Sequence, residues 1–107
     1  MAKSTPIPTA AREAVEVRQH GRCLRCGTYP YSEVHHRMVR RIAGHGWENL
    51  VGLCMTCHHW VHANPRLARE HGFIVSRHTS VTDITTVPVD AWNGTLFLHP
   101  DGQVTVG

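Results

Sequence analysis

The sequence predicts a small α+β domain with an N-terminal helix and a C-terminal β-rich extension. The 107 residues are enough for one domain with a modest core. Helical periodicity comes first, and alternating apolar residues follow in the last third of the chain. The four cysteines form two Cys-x-x-Cys pairs, a spacing typical of metal sites. We therefore expect a zinc-stapled α+β fold.

The composition excludes a membrane protein, because no apolar run approaches the ~18 residues that span a bilayer. The first ten residues contain one lysine and no apolar stretch like that of a secretory signal, which predicts a cytoplasmic protein. In such a reducing compartment, cysteines are more typical of metal ligands than of disulfides.

The charge is basic, with a formal net charge of +3, and ten of the eleven basic residues are arginines. Arginine favours forked contacts with phosphate, although an ordinary solvated surface also explains such a charge. The ten histidines are harder to explain in this way, because histidine is the commonest metal ligand.

The first half of the chain alternates helix, strand and loop. Thr9 can cap a helix over residues 10–18, and Gly21 suits its left-handed end. Residues 32–38 predict a short strand and residues 39–48 a loop without a convincing period. A second short strand is predicted at 50–53.

The second half begins with two short helices, over residues 57–63 and 65–71, of which the second starts with proline in its favoured position. Strands are then predicted at 73–76, 86–89, 95–98 and 103–106, the last two joined as a hairpin by a turn at 99–102. This pattern divides the chain into a flexible arm (1–8), a metal-holding domain (9–72) and a β-rich extension packed on the same domain (73–107).

The cysteines predict a structural zinc site. A tetrahedral Zn²⁺ takes four ligands, and a two-residue spacer lets one turn direct two sulfurs at the same point. Two such turns complete the shell and leave no position for water, so the ion stabilises the fold. A redox Cys-x-x-Cys or free core cysteines are the alternatives. The four expected ligands are Cys23, Cys26, Cys54 and Cys57.

The histidines form a second group of candidate ligands, which lies between the two cysteine pairs and just after the second pair. His58 and His62 are four residues apart on a predicted helix, so both rings project from one face and can chelate one divalent ion. His35 and His36 lie on the predicted strand before it. Because one zinc ion ties both regions together, we expect the histidines to converge.

These motifs resemble the HNH, or ββα-metal, nuclease family. The matching segments are Glu33-Val34-His35-His36, then Glu48-Asn49-Leu50, then Cys57-His58-His59-Trp60-Val61-His62. The doubled Cys-x-x-Cys is similar to that of small HNH proteins of bacteriophages and their hosts. The resemblance covers a little over a third of the chain. It implies a ββα-metal fold and a DNA endonuclease of phage origin.

The resemblance also implies roles for single residues. His36, Asn49 and His58 would be the residues that name the family. His35, His58 and His62 would bind a catalytic divalent ion, and His36 would be the general base. Asn49 would hold the His36 segment through hydrogen bonds across the loop. The products would carry a 5′-phosphate and a 3′-hydroxyl.

The expected metal is open between Mg²⁺, Mn²⁺, Ni²⁺ and Zn²⁺, because relatives often have aspartate at the position of His35. A three-histidine shell favours the softer ions. His45, in a Gly-His-Gly loop, is expected to be a solvent-exposed histidine outside the site, with an extra metal ligand or a phosphate contact as the alternatives.

The expected partner is double-stranded DNA, whose phosphates dominate affinity. Arg37, Arg40 and Arg41 flank the strand that carries the histidines and are the candidate phosphate contacts. In the ββα architecture the helix fits the minor groove, which implies low sequence specificity.

Two alternatives to an independent nuclease or nickase remain. One is a non-catalytic zinc-ribbon-like module that binds DNA or protein. The other is an accessory nickase that assists a phage terminase in DNA packaging. The sequence does not decide between a monomer and a dimer.

Overall fold

The computed structural model describes residues 6–107. Helix α1 (Thr9–Gln19) is the first element in this part of the chain. Residues 1–5 of the expected flexible arm lie outside this part. Ile7 is buried and packs with α1, so this end of the arm belongs to the core. The helix is confirmed, but Pro8 rather than Thr9 precedes its first turn, without a side-chain cap. His20, with φ 54°, makes the left-handed end one residue before Gly21.

An antiparallel ribbon carries the first histidines. Strand β1 (Glu33–His36) pairs with β2 (Leu50–Leu53), and His35 lies opposite Val51. The ribbon is held against α1 by Gln19, whose side chain exchanges hydrogen bonds with the backbone of Gly52. The two predicted strands are confirmed, with β1 shorter than expected.

Helices α3 (Met55–Ala63) and α4 (Pro65–Glu70) follow β2 directly. Helix α3 begins two residues earlier than expected, because the sulfur of Cys54 caps it by accepting the N–H of Cys57 at 3.4 Å. Strand β1, strand β2 and helix α3 thus follow in this order between Glu33 and Ala63, with residues 37–49 inserted between the two strands. Within residues 6–107, no helix is long and apolar enough to cross a bilayer.

The segment between β1 and β2 is more ordered than the predicted loop. It contains the one-turn helix α2 (Arg40–Ala43) and a 3₁₀ turn at Trp47–Asn49. Elements of three or four residues are too short to show a hydrophobic period, which explains why the pattern missed them.

A second sheet forms the C-terminal extension, with the strand order β3 (Val89–Ala91), β4 (Gly94–Leu98) and β5 (Val104–Val106). The predicted hairpin of the last two strands is confirmed, and Leu98 lies opposite Val104. The strand expected at 86–89 was wrong, because residues 81–86 form a 3₁₀ helix and the strand starts at Val89.

The strand expected at 73–76 is also absent. Its apolar residues serve the core without joining a sheet: Phe73 is buried in the main hydrophobic cluster, and the N–H of Val75 donates to the carbonyl of Arg37. The main cluster joins both halves of the chain, since Leu53 and Val61 pack in it together with Leu98.

Candidate metal centres and the adjoining loop

The four cysteines meet at one point, as their spacing predicts. Their sulfur atoms all lie within 4.8 Å of one another. The sulfurs of Cys26 and Cys54 are 3.7 Å apart. Four sulfurs about 2.3 Å from one tetrahedral ion lie about 3.8 Å from one another, so this set fits zinc. The cluster can hold a structural metal ion that ties α3 to the turn after α1.

The first cysteine turn is built by its backbone. The N–H of Gly27 donates to the carbonyl of Cys23, and the N–H of Cys23 donates to the carbonyl of Thr28, each at 2.8 Å. Gly27 has φ 79°, and a Cβ there would lie 2.8 Å from the indole of Trp92. A side chain at position 27 is thus excluded both by the backbone conformation and by the neighbouring ring.

Arg25 covers the cysteine cluster on the side of α3. Its guanidinium donates to the sulfur of Cys57 at 3.4 Å and stacks over the Trp60 ring at 3.7 Å. A cation beside thiolates offsets their negative charge when a metal is bound. The sequence pattern does not reveal this role of Arg25, because its partner on α3 is 32 residues away.

Three histidines converge at a second point. His35 comes from β1, and His58 and His62 come from α3; one ring nitrogen of each lies within 4.8 Å of the others. The Nε2 atoms of His58 and His62 are 3.1 Å apart. Two nitrogens about 2.1 Å from one ion lie about 3.0–3.4 Å apart, so the pair fits a shared divalent ion.

His35 is the buried member of this trio. Its Nε2 lies 2.8 Å from the carbonyl oxygen of Phe73. Because a carbonyl only accepts, Nε2 carries the proton and Nδ1 keeps the lone pair for a metal. Burial lowers the pKa of His35 to about 4 and also lowers the pKa of His58. The neutral rings are the forms that bind metals.

His36 lies beside a different partner. Its Nε2 is 3.0 Å from Nδ1 of His45, which is half-buried rather than an exposed loop histidine as expected. Burial, followed by the charges of Arg40 and His45, lowers the pKa of His36 to about 4. One feature of the sequence points to His45, namely its position between two glycines. A hydrogen-bonded turn between the two strands can require glycine at such positions.

Asn49 is fully buried and holds the loop between β1 and β2. Its Oδ1 accepts the N–H of Met38 at 2.7 Å. Its Nδ2 donates to the carbonyls of Met38 at 3.0 Å and of Gly44 at 3.3 Å. These are hydrogen bonds across the loop, the kind of contact that the resemblance implies for Asn49.

Arg37 is not available as a phosphate contact, because it is only 2% exposed. Its guanidinium donates to the carbonyls of Gly72, Glu48 and Val87 at 2.7–3.0 Å. Burial lowers its pKa to about 10, which leaves the side chain charged near neutral pH. Arg37 thus links three loops. The other two candidates are closer to solvent: Arg40 is half-buried and Arg41 is exposed.

No protein-family model, no curated protein and no solved structure matches this chain. The geometry of the two metal-ligand clusters is therefore the basis for a functional proposal.

Proposed function

We propose that this protein is a metal-dependent HNH endonuclease that hydrolyses phosphodiester bonds of double-stranded DNA. One observation carries the proposal: the three imidazoles of His35, His58 and His62 converge, and His36 directly follows the first of them. The antiparallel pairing of β1 with β2, followed along the chain by α3, supports a ββα-metal fold.

The histidine trio would hold one divalent ion, of which Mg²⁺, Mn²⁺, Ni²⁺ and Zn²⁺ are the candidates. When bound, such an ion supplies positive charge that stabilises the departing oxygen of a phosphodiester. Three protein ligands leave further coordination positions open, in contrast to the complete shell of four cysteines. His62 is exposed, so this site faces solvent where a DNA strand can approach.

His36 would act as the general base. A neutral imidazole takes the proton of a water molecule, whose oxygen forms a bond to phosphorus. The bond between phosphorus and O3′ breaks, its electron pair stays on O3′, and O3′ takes a proton from solvent. The products are a 5′-phosphate and a 3′-hydroxyl. The lowered pKa of His36 keeps the ring neutral near pH 7, the form that can accept a proton.

DNA binding would use the basic surface beside β1. Arg41 is exposed and Arg40 is half-buried near His36, so both are candidates for contacts with the DNA backbone. Backbone contacts carry no sequence information, and we expect low sequence specificity.

The cysteine cluster by itself favours a second candidate, a non-catalytic zinc-ribbon-like module that binds DNA or protein. Such a module needs the structural metal but makes no use of a general base. The two functions therefore differ in what they require of His36.

The test is nicking of supercoiled plasmid by the wild-type protein in Mg²⁺, Mn²⁺, Ni²⁺ and Zn²⁺, with His36→Ala as the decisive variant. We expect loss of about 10²–10⁴-fold in nicking rate, the usual contribution of a general base. The matched control is His59→Ala, an exposed histidine on α3. Both variants should keep the melting temperature and zinc content. A wild-type protein that nicks in none of these metals, or a His36→Ala protein that nicks equally well, contradicts the nuclease and favours the binding module.

A further inference from the structure

His36 and His45 form a side-chain pair outside the metal-ligand trio. The two rings are joined at 3.0 Å between Nε2 of His36 and Nδ1 of His45, with their planes inclined by 57°. A hydrogen bond between two neutral imidazoles needs one donor and one acceptor nitrogen. This bond can run in either direction, from Nε2–H of His36 to Nδ1 of His45 or the reverse, and only the first leaves Nδ1 of His36 with a free lone pair.

One residue, Asn49, holds both members of the pair in place. Its side chain bonds the N–H and the carbonyl of Met38, two residues after His36. It also reaches both sides of His45: Nδ2 donates to the carbonyl of Gly44 at 3.3 Å, and the Asn49 N–H donates to the carbonyl of Gly46 at 2.9 Å. The contact of the two histidines is thus built by the loop.

Gly44 makes this turn possible. It has φ 65° and ψ −149°, and its N–H closes the preceding helical turn on the carbonyl of Arg40 at 2.7 Å. Residues with a side chain rarely adopt this backbone conformation, so glycine is required there. His45 is thereby turned back toward the end of β1.

We propose that His45 is a positioning residue, which accepts the Nε2–H of His36 and so leaves Nδ1 of His36 as the basic nitrogen. This inference rests on the proposed nuclease and extends it by a residue outside the family motif. A base must present a lone pair to the attacking water, and Nε2 is occupied by His45. When Nδ1 takes the proton of water, His36 becomes an imidazolium, and its Nε2–H bond to Nδ1 of His45 stabilises the new charge.

The first test does not depend on activity. Long-range ¹⁵N–¹H correlation spectra of the ¹⁵N-histidine-labelled protein, as purified with its zinc, report the tautomer of each ring. His36→Ala and His45→Ala identify the two sets of signals. We expect His36 to carry its proton on Nε2 in the wild type and to lose this preference in His45→Ala. A His36 ring protonated on Nδ1 in the wild type overturns the inference.

The second test measures plasmid nicking, with kcat and KM determined separately. We expect His45→Ala to lower kcat by about 10–100-fold with KM unchanged within twofold. His45→Asn, whose Oδ1 can accept the same hydrogen bond, should recover most of the loss. Because His45 acts through His36, the double variant should be no slower than His36→Ala alone.

The outcomes separate the two claims. A change in KM alone, or an additive loss in the double variant, overturns the positioning role and makes His45 a DNA contact. An inactive wild type with His36 protonated on Nε2 contradicts the proposed nuclease but not the hydrogen bond. An active wild type with His36 protonated on Nδ1 contradicts the inference alone.

Discussion

The sulfur atoms of Cys26 and Cys54 lie 3.7 Å apart although 28 residues separate them in the chain. One end of this link is the turn after α1 and the other is the cap of α3. A metal ion at this point therefore connects the two segments that frame the β1–β2 ribbon.

The first prediction concerns this link. Replacing one of the four cysteines, as in Cys54→Ser, should abolish tight zinc binding and prevent cooperative folding, because zinc binding energy becomes folding energy in such small domains. Elemental analysis should give about one zinc per chain for the wild type after dialysis and much less for the variant. Thermal unfolding followed by circular dichroism should show loss of the cooperative transition.

Thr56→Ala is the control for that experiment, since Thr56 is exposed on the same turn of α3. It should retain zinc and the wild-type melting temperature. A Cys54→Ser protein that keeps a full zinc complement and melts like wild type would show that the cysteines are not a metal site.

The second prediction separates the two clusters. His62→Ala removes one imidazole from the histidine trio but none of the sulfurs, so it should weaken binding of a second divalent ion while the structural zinc stays. Calorimetric titration of the zinc-containing protein with Ni²⁺ should show one site in the wild type. The affinity should fall at least tenfold in His62→Ala and remain unchanged in His59→Ala. Equal affinity in all three proteins would argue against the trio as a site.

Much of what the sequence predicted depends on the spacing between residues a few positions apart. The two-residue spacer of each cysteine pair and the i, i+4 spacing of His58 and His62 are properties of a single turn. They therefore do not depend on how the rest of the chain folds. The hairpin of β4 and β5 is local in the same sense. These features led to the small α+β fold and the cysteine cluster that the structure contains.

Features that depend on distant partners could not be predicted. Arg37 and Arg41 look alike in the sequence, but Arg37 is enclosed by carbonyls of residues 35 and 50 positions away, whereas Arg41 is exposed. The role proposed for His45 likewise depends on its tertiary contact with His36. No periodicity encodes either relationship.

The third prediction concerns Arg37. Arg37→Ala leaves three carbonyls without their donor and opens a cavity in a region that is closed to water. Buried groups without partners cost about 1–3 kcal/mol each, so the free energy of unfolding should fall by about 3 kcal/mol or more. Urea unfolding measures this loss. Arg77→Ala, at an exposed position, should change stability by less than about 0.5 kcal/mol. A similar small effect for Arg37→Ala would contradict its role as a link between loops.

The fourth prediction concerns Asn49. In Asn49→Asp the acceptor for the Met38 N–H is kept, but the donor to the carbonyls of Met38 and Gly44 is replaced by an oxygen that repels them. The variant should therefore be at least as destabilised as Asn49→Ala, by about 2 kcal/mol or more. Hydrogen exchange should show a faster Met38 amide in Asn49→Ala, which has lost its acceptor. Wild-type exchange at this amide would show that Asn49 does not hold the loop.

The last prediction addresses the proposed DNA surface. Arg41 is exposed on α2, the short helix after β1, so a contact with one phosphate would be lost in Arg41→Ala without a change in stability. The slope of log K against log salt should then become less steep by about 0.9, the value expected for one phosphate of duplex DNA. Arg66→Ala, at a highly exposed position on α4, is the charge-matched control and should leave the slope unchanged. If both variants alter the slope equally, the salt dependence reflects the net charge of the protein and not a contact at Arg41. Removal of any one positive charge would then weaken binding to the same extent.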